Sequence, residues 1–122
     1  MLRLIVAIVL WVMQAGGDDA QTAANCKSRK DLVGACIKIR GRLRAYGTSP
    51  RCRIWPVGTT HLLGVADAGS LPSNVACGEG FEVYADFTVC PLTPARPNGL
   101  QMVCVASAGN LRASEIKREA GQ

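Results

Sequence analysis

The chain has 122 residues, of which six are cysteine, and its formal net charge is +5. This length suggests one domain, and no internal repeat or second domain is visible in the sequence. The cysteines include no C-x-x-C pair, which leaves little support for a structural zinc site or a thioredoxin-like redox motif.

The first residues have the pattern of a secretory signal peptide. A short basic start ending at Arg3 precedes an unbroken apolar run of ten residues, Leu4 to Met13. As a helix this run would be about 15 Å long, half of the roughly 30 Å hydrocarbon core of a bilayer. We therefore predict a signal peptide over residues 1–20, cleaved between 15 and 24. A buried apolar N-terminal element is the alternative.

The six cysteines agree with export. The mature chain would hold about 100 residues, which is small enough for disulfides to contribute to stability. Structural bridges in an oxidising compartment are the favoured interpretation. We expect a periplasmic or extracellular protein with no integral membrane span in the mature chain.

The first predicted strand follows a polar stretch, residues 21–35, which we expect to be a loop or a short turn. Residues 36–46, CIKIRGRLRAY, alternate apolar and charged side chains, and this predicts a strand with one buried face. Gly41 at its centre is typical of a bulge or a bend. Residues 47–50 have the composition of a tight turn.

Four further strands are predicted after this turn, over residues 51–58, 59–66, 81–90 and 100–108. A loop over 67–80 interrupts them, a proline-rich connection over 91–99 joins the last two, and residues 109–122 form a polar tail. Three strands, a gap and two strands is the order of a five-stranded OB-like barrel. We predict this all-β, disulfide-stabilised barrel for residues 36–108. A small antiparallel β-sandwich is the alternative.

One disulfide is predicted from strand register. If the last two strands form a hairpin, the midpoint between Cys90 and Cys104 is residue 97, which lies inside the proline-rich connection. The two cysteines would then lie nearly opposite each other, within reach of a bridge. We predict a Cys90–Cys104 disulfide on this basis, and the register ranks no other pairing.

Positive charge is concentrated around the first strand. Residues 27–53 carry nine cations against one acid, a net charge of +8, whereas residues 54–122 carry four cations against six acids. A four-residue loop after the first strand would place Arg44 opposite Arg53, and Arg42 opposite Trp55. The cations of two strands would then share one face of the sheet.

We predict that this face binds an anion, since guanidinium groups bind phosphate and carboxylate in a bidentate manner. The predicted anion-binding residues are Lys38, Arg40, Arg42, Arg44, Arg51 and Arg53. Tyr46 and Trp55 would form an aromatic platform beside them, although a register shifted by one residue would bury Trp55. Anionic lipid, acidic glycan and nucleic acid are the candidate ligands. A solvated face that prevents edge pairing is the alternative.

Signals for catalysis are weak, and we predict a non-enzymatic protein with no cofactor and no metal. His61 is the only histidine. Glu82 and Asp86 would be about 13 Å apart along a strand, too far for a carboxylate pair acting on one bond. A structural role in the cell envelope suits such a domain. The second hypothesis is a module that binds an envelope protein, or acts as an inhibitor, through loops 67–80 and 91–99.

The chain also shows a resemblance to known sequences. GRLRAYG (41–47), RIWPVGTTHLLGV (53–65) and FEVYADFTVCPLTP with QMVCV (81–94 and 101–105) resemble an uncharacterised family of small exported bacterial proteins. The resemblance covers most of residues 36–108. It implies export and one small β domain, and no activity is known for the family. Cys52 and Cys77 depart from the family pattern, and we predict that they pair with each other.

Overall fold

The fold is that of a computed structural model, which describes residues 25–67 and 70–116. The predicted signal peptide over residues 1–20 lies outside the described residues, as do residues 117–122 at the end of the predicted tail. The described part begins with a turn of helix at Cys26 and then runs as an irregular segment to the first strand.

Five strands form the domain: β1 (Ile37–Ala45), β2 (Cys52–Pro56), β3 (Leu63–Val65), β4 (Phe81–Pro91) and β5 (Gln101–Glu115). Their order around the sheet is β1-β2-β3-β5-β4, and β4 pairs back with β1 to close the barrel. β3 and β5 are parallel, and the other neighbouring pairs are antiparallel. The predicted all-β, five-stranded OB-like barrel is confirmed, because one sheet closes into a ring instead of two sheets stacking as a sandwich.

β1 joins the two halves of the barrel. It pairs with β4 from Ile37 to Arg44 and with β2 from Gly41 to Ala45. Gly41 lies where the second pairing begins, and a Cβ atom there would be 2.5 Å from Ile54 Cγ2. The glycine predicted to mark a bend is therefore required for the close approach of β1 and β2.

The core is built from the inward side chains of all five strands. The largest fully buried side chains are Phe87, Leu43, Ile54, Val89, Val103 and Cys90. None of the buried side chains in the described part of the chain is polar or charged. The alternation seen in the sequence of β1 and β4 thus separates an apolar interior from a charged exterior.

The connection between β3 and β4 covers one end of the barrel. Val75 in this loop is buried in the main core, and Leu71 and Cys77 pack against it. Cys77 forms a disulfide with Cys52 at the start of β2, as predicted. The loop is therefore held to the barrel by apolar packing and by a covalent bond.

The predicted Cys90–Cys104 disulfide is wrong, although the register behind it is correct. Cys90 and Cys104 are direct partners across β4 and β5, but their bridges are Cys36–Cys90 and Cys26–Cys104. The N-terminal segment lies across the outside of these strands, and Leu32 packs over the cysteines in a small second core. The pairing of β4 with β5 does not indicate where this N-terminal segment lies, so it could not predict the two bridges.

Several strand lengths differ from the sequence predictions, and β2, with five residues, is shorter than the predicted 51–58. β3 has only three residues, and β5 continues to Glu115, past the predicted strand end at residue 108. The extension pairs with the first half of β4 after a register shift at Asn110, whose φ is 50°. Its side chains are almost all exposed, so the extension has no apolar alternation from which a strand could be predicted.

We expect Gly41→Ala to lower the free energy of unfolding by about 1–3 kcal/mol, because its Cβ would overlap Ile54. Gly47→Ala is the matched control, since a Cβ at Gly47 meets no atom within 4 Å. Urea unfolding of the two variants measures the difference. Equal stabilities would contradict the close approach of β1 and β2.

Candidate anion-binding face

The outward side chains of β1, β2, β4 and the end of β5 form one continuous surface, which we name the outer face. Its members are Lys38, Arg40, Arg42, Arg44, Arg53, Trp55, Glu82, Tyr84, Asp86, Thr88 and Arg112. Six of these residues are cations and two are acids, so the outer face has a net charge of +4. It contains five of the six predicted anion-binding residues.

A row of alternating aromatic and guanidinium groups crosses the middle of the outer face. Arg42 is the register partner of Trp55 on one side and of Tyr84 on the other, and Tyr84 is the partner of Arg112. The guanidinium carbon of Arg42 lies 4.9 Å from the centroid of the Trp55 ring. This distance is within the range of a cation–π interaction.

Trp55 belongs to this row and not to the core. Its side chain is half-buried, and its Nε1 donates a hydrogen bond of 2.8 Å to the carbonyl oxygen of Thr59. Trp55 is paired with Arg42, as the predicted four-residue loop requires. The strand register shifted by one residue, which would bury Trp55, does not occur. Trp55 is therefore available at the surface, with one face near Arg42.

Tyr46 is less accessible as a platform than the sequence predicts. The guanidinium carbon of Arg53 lies 4.5 Å from the centroid of its ring. Arg53 also donates to the carbonyl oxygen of Pro50 at 2.9 Å and to Thr48 Oγ1 at 2.9 Å. Arg53 thus ties the β1–β2 turn to β2 and covers one face of Tyr46.

Glu82 neutralises part of the predicted basic strand. Its Oε2 accepts a hydrogen bond of 2.7 Å from Arg44 Nε and lies 3.7 Å from Arg42 Nε. The Glu82 side chain is only 16% exposed. The Nε of Arg42 is buried and has no hydrogen-bond partner among the described residues. One carboxylate therefore compensates two neighbouring guanidinium groups.

A second acid, Asp86, forms a cluster with Arg40 and Asn110. Arg40 Nη1 donates to Asp86 Oδ1 at 3.3 Å and to the carbonyl oxygen of Asn110 at 2.8 Å. The side-chain amide of Asn110 donates to Asp86 Oδ2 at 2.6 Å. The hydrogen bond from Asn110 is the largest cause that lowers the pKa of Asp86, followed by the hydrogen bond and charge of Arg40 and the charge of Lys38.

The pairing of Glu82 and Asp86 with the cations was not predicted from the sequence, although the outward register of both acids on β4 was the available signal. Tyr84 and Arg112 were not predicted as members of this face. Lys38 and Arg112 form no ion pair or hydrogen bond with the described part of the chain. Both therefore have unpaired charges on the outer face.

Arg51, the sixth predicted anion-binding residue, lies beside the outer face. It follows the β1–β2 turn and approaches Glu79 at 3.4 Å, and both side chains are largely exposed. Water and salt screen such a pair strongly. The pair with Glu79 is therefore weak, and Arg51 remains a charged residue at the edge of the outer face.

No group of catalytic residues is assembled on the described residues. His61 is exposed in the β2–β3 connection. The sulfur atoms of Cys26, Cys90 and Cys104 lie within 4.8 Å of one another, but all three are in disulfides. They therefore offer no thiolate to a metal ion.

Comparison with models of known protein families, with curated proteins and with solved structures finds no significant match to this chain. The resemblance to a family of exported bacterial proteins therefore stays a prediction. Within residues 25–67 and 70–116, no helix is long and apolar enough to cross a bilayer.

We expect Glu82→Gln to lower the free energy of unfolding by about 1–2 kcal/mol, because it leaves Arg42 and Arg44 without their shared carboxylate. Glu79→Gln removes the same charge from an exposed pair and should change stability by less than about 0.5 kcal/mol. Thermal and urea unfolding would compare the two variants. A Glu79 variant as unstable as the Glu82 variant would refute the assigned role of Glu82.

The pKa of Asp86 should lie below the ordinary value of 3.8. A lowered pKa in the folded state stabilises the fold above the unfolded pKa, and this contribution is lost as the pH falls through the folded value. Asn110→Gly removes the amide donor and tolerates the positive φ, so it should raise the pKa of Asp86. Carbon-detected NMR titration measures both values. An unchanged Asp86 pKa in the variant would contradict the cluster.

Proposed function

We propose that this protein is an exported, non-enzymatic binding domain whose outer face holds a linear anionic polymer. The central row of Trp55, Arg42, Tyr84 and Arg112 carries this proposal. The row combines flat rings, which stack on bases or sugars, with guanidinium groups, which bind phosphate or carboxylate. The net charge of +4 on the outer face adds a long-range attraction for such a ligand.

Export is supported by the covalent structure. Three disulfides join all six cysteines, and no cysteine among the described residues is free. Such a set of bridges fits an oxidising environment. We infer that the apolar N-terminal run is a signal peptide and that the folded domain functions in the periplasm or outside the cell.

The shape of the outer face favours a polymer over a lipid surface. Neighbouring strands are about 4.8 Å apart, so the row across four strands extends for about 14 Å. A barrel wall is convex, and a flat bilayer would touch only a strip of it. A flexible polymer can follow the curvature and reach Lys38, Arg112 and the central row together.

The arginines that pair with Glu82 and Asp86 contribute in a different way. Their acids fix Arg40, Arg42 and Arg44 in position, which reduces the side-chain entropy lost when a ligand binds. Arg53 also has no acidic partner on the outer face, but Pro50 and Thr48 accept hydrogen bonds from it. Lys38 and Arg112 are the cations of the outer face that form no hydrogen bond or ion pair within the described residues. Affinity should therefore depend more on these two residues than on the number of arginines in β1.

The alternative module that binds a protein partner through its loops has weaker support. Val75 and Cys77 hold the 67–80 loop against the barrel. The other loop of this hypothesis, 91–99, is exposed over residues 94–99. The exposed residues of both loops, as far as the structure describes them, include no aromatic side chain, and aromatic anchors dominate protein interfaces.

Lys38→Gln combined with Arg112→Gln should weaken binding to a single-stranded oligonucleotide. The slope of log affinity against log salt concentration should fall by about 1.4, since each neutralised phosphate contributes about 0.7. Fluorescence anisotropy at several salt concentrations measures this slope. The matched control is Lys27→Gln with Lys30→Gln, which removes two charges from the N-terminal segment and should leave the slope nearly unchanged.

The same anisotropy experiment, repeated with heparin, distinguishes a nucleic acid from an acidic glycan as the ligand. Tyr84→Leu should weaken oligonucleotide binding but not heparin binding if bases stack on the row, because stacking contributes about 1–3 kcal/mol per base. Equal losses for both ligands would point to an acidic glycan. Equal slopes for the face variant and its control, with either polymer, would refute the outer face as the binding site.

A further inference from the structure

The two ends of the barrel differ in how they are covered. The loop between β3 and β4 fills the end where β1 finishes, and it places Val75 in the core. At the other end, where β1 begins, a cavity of about 280 Å³ opens between the strands. We name this cavity the barrel mouth.

The walls of the barrel mouth are apolar. The inward side chains that line it are Ile37, Ile39, Leu63, Val89 and Val103. Ile37 is 55% exposed, which is unusual for an isoleucine on the inner face of a closed barrel. Removing a side chain of this kind from water is favourable. An apolar ligand in the barrel mouth would therefore be stabilised by burying Ile37, which the described residues leave exposed.

The rim of the barrel mouth carries a single permanent charge among the described residues that line it. Arg96, in the β4–β5 connection, is this residue. It is exposed and forms no ion pair or hydrogen bond with the described part of the chain. Gln101, also on the rim, is held by its own hydrogen bond to the carbonyl oxygen of Thr93. Arg96 is thus free to bind an anionic group at the opening.

We propose that the barrel mouth binds a small amphipathic carboxylic acid, with its apolar body among Ile37, Ile39 and Leu63 and its carboxylate on Arg96. An arginine binds a carboxylate through two parallel hydrogen bonds. The share of volume of one water molecule is about 30 Å³, so the cavity has room for about nine non-hydrogen atoms. A medium-chain fatty acid has this size.

This site is independent of the outer face. Ile37 and Ile39 point to the inside of β1, whereas Lys38 and Arg40 point to the outside. A ligand in the barrel mouth therefore touches none of the residues proposed to bind a polymer. Failure of either proposal leaves the other standing.

Titration of the protein with octanoate, octanol and octylamine tests the proposal. Methyl NMR spectra should show shifts at Ile37, Leu63 and Val103, and octanoate should bind at least tenfold more tightly than the other two compounds. Arg96→Gln should reduce octanoate binding to the level of octanol. Lys38→Gln, which removes a cation from the other side of β1, is the control and should leave octanoate binding unchanged.

The outcomes separate the alternatives. Ile37→Gln should weaken all three ligands and leave the fold intact, because the side chain is already half exposed. Octanol binding as tightly as octanoate to the natural protein would overturn the proposal, and so would an unaffected Arg96→Gln variant. Methyl shifts that depend on protein concentration and not on ligand would show that a second copy covers the barrel mouth, which would also overturn it.

Discussion

Both the core and the outer face depend on the pairing of β1 with two neighbours at once. From Gly41 to Arg44 this strand is bonded to β2 on one edge and to β4 on the other. The double pairing closes the ring, and it fixes which side chains of three strands share a side. Leu43 therefore meets Ile54 and Val83 inside, while the adjacent Arg42 lies between Trp55 and Tyr84 outside.

Less positive charge on the outer face is available to a ligand than the sequence of β1 indicates. Four cations in alternate positions would repel one another, and the barrel places Glu82 and Asp86 of β4 beside them. Ion pairs across the strands offset much of this repulsion and hold the arginines in fixed positions. Lys38, Arg53 and Arg112 have no acidic partner among the described residues, and Lys38 and Arg112 also form no hydrogen bond there. A binding function for the outer face depends on this arrangement more than on the total number of cations.

The sequence predicts those parts of the structure that follow from local alternation. The strand at β1, its register with β2 through Arg44 and Arg53, and the five-stranded barrel order can all be predicted, since apolar periodicity and turn chemistry determine them. The disulfide partners of Cys90 and Cys104 cannot be predicted in this way, because both cysteines face an N-terminal segment whose path has no periodic signal. The exposed end of β5, which includes Arg112, cannot be predicted either, because it also has no apolar periodicity.

The most direct test of the closed ring is an NMR measurement of cross-strand nuclear Overhauser contacts from Leu43. If β1 pairs on both edges, its Leu43 backbone protons should show contacts to both Ile54 and Val83 in the same protein sample. Contacts to only one of these residues would mean that the sheet is open at β1. An open sheet would separate the aromatic residue of β2 from the arginines and acids that share the outer face.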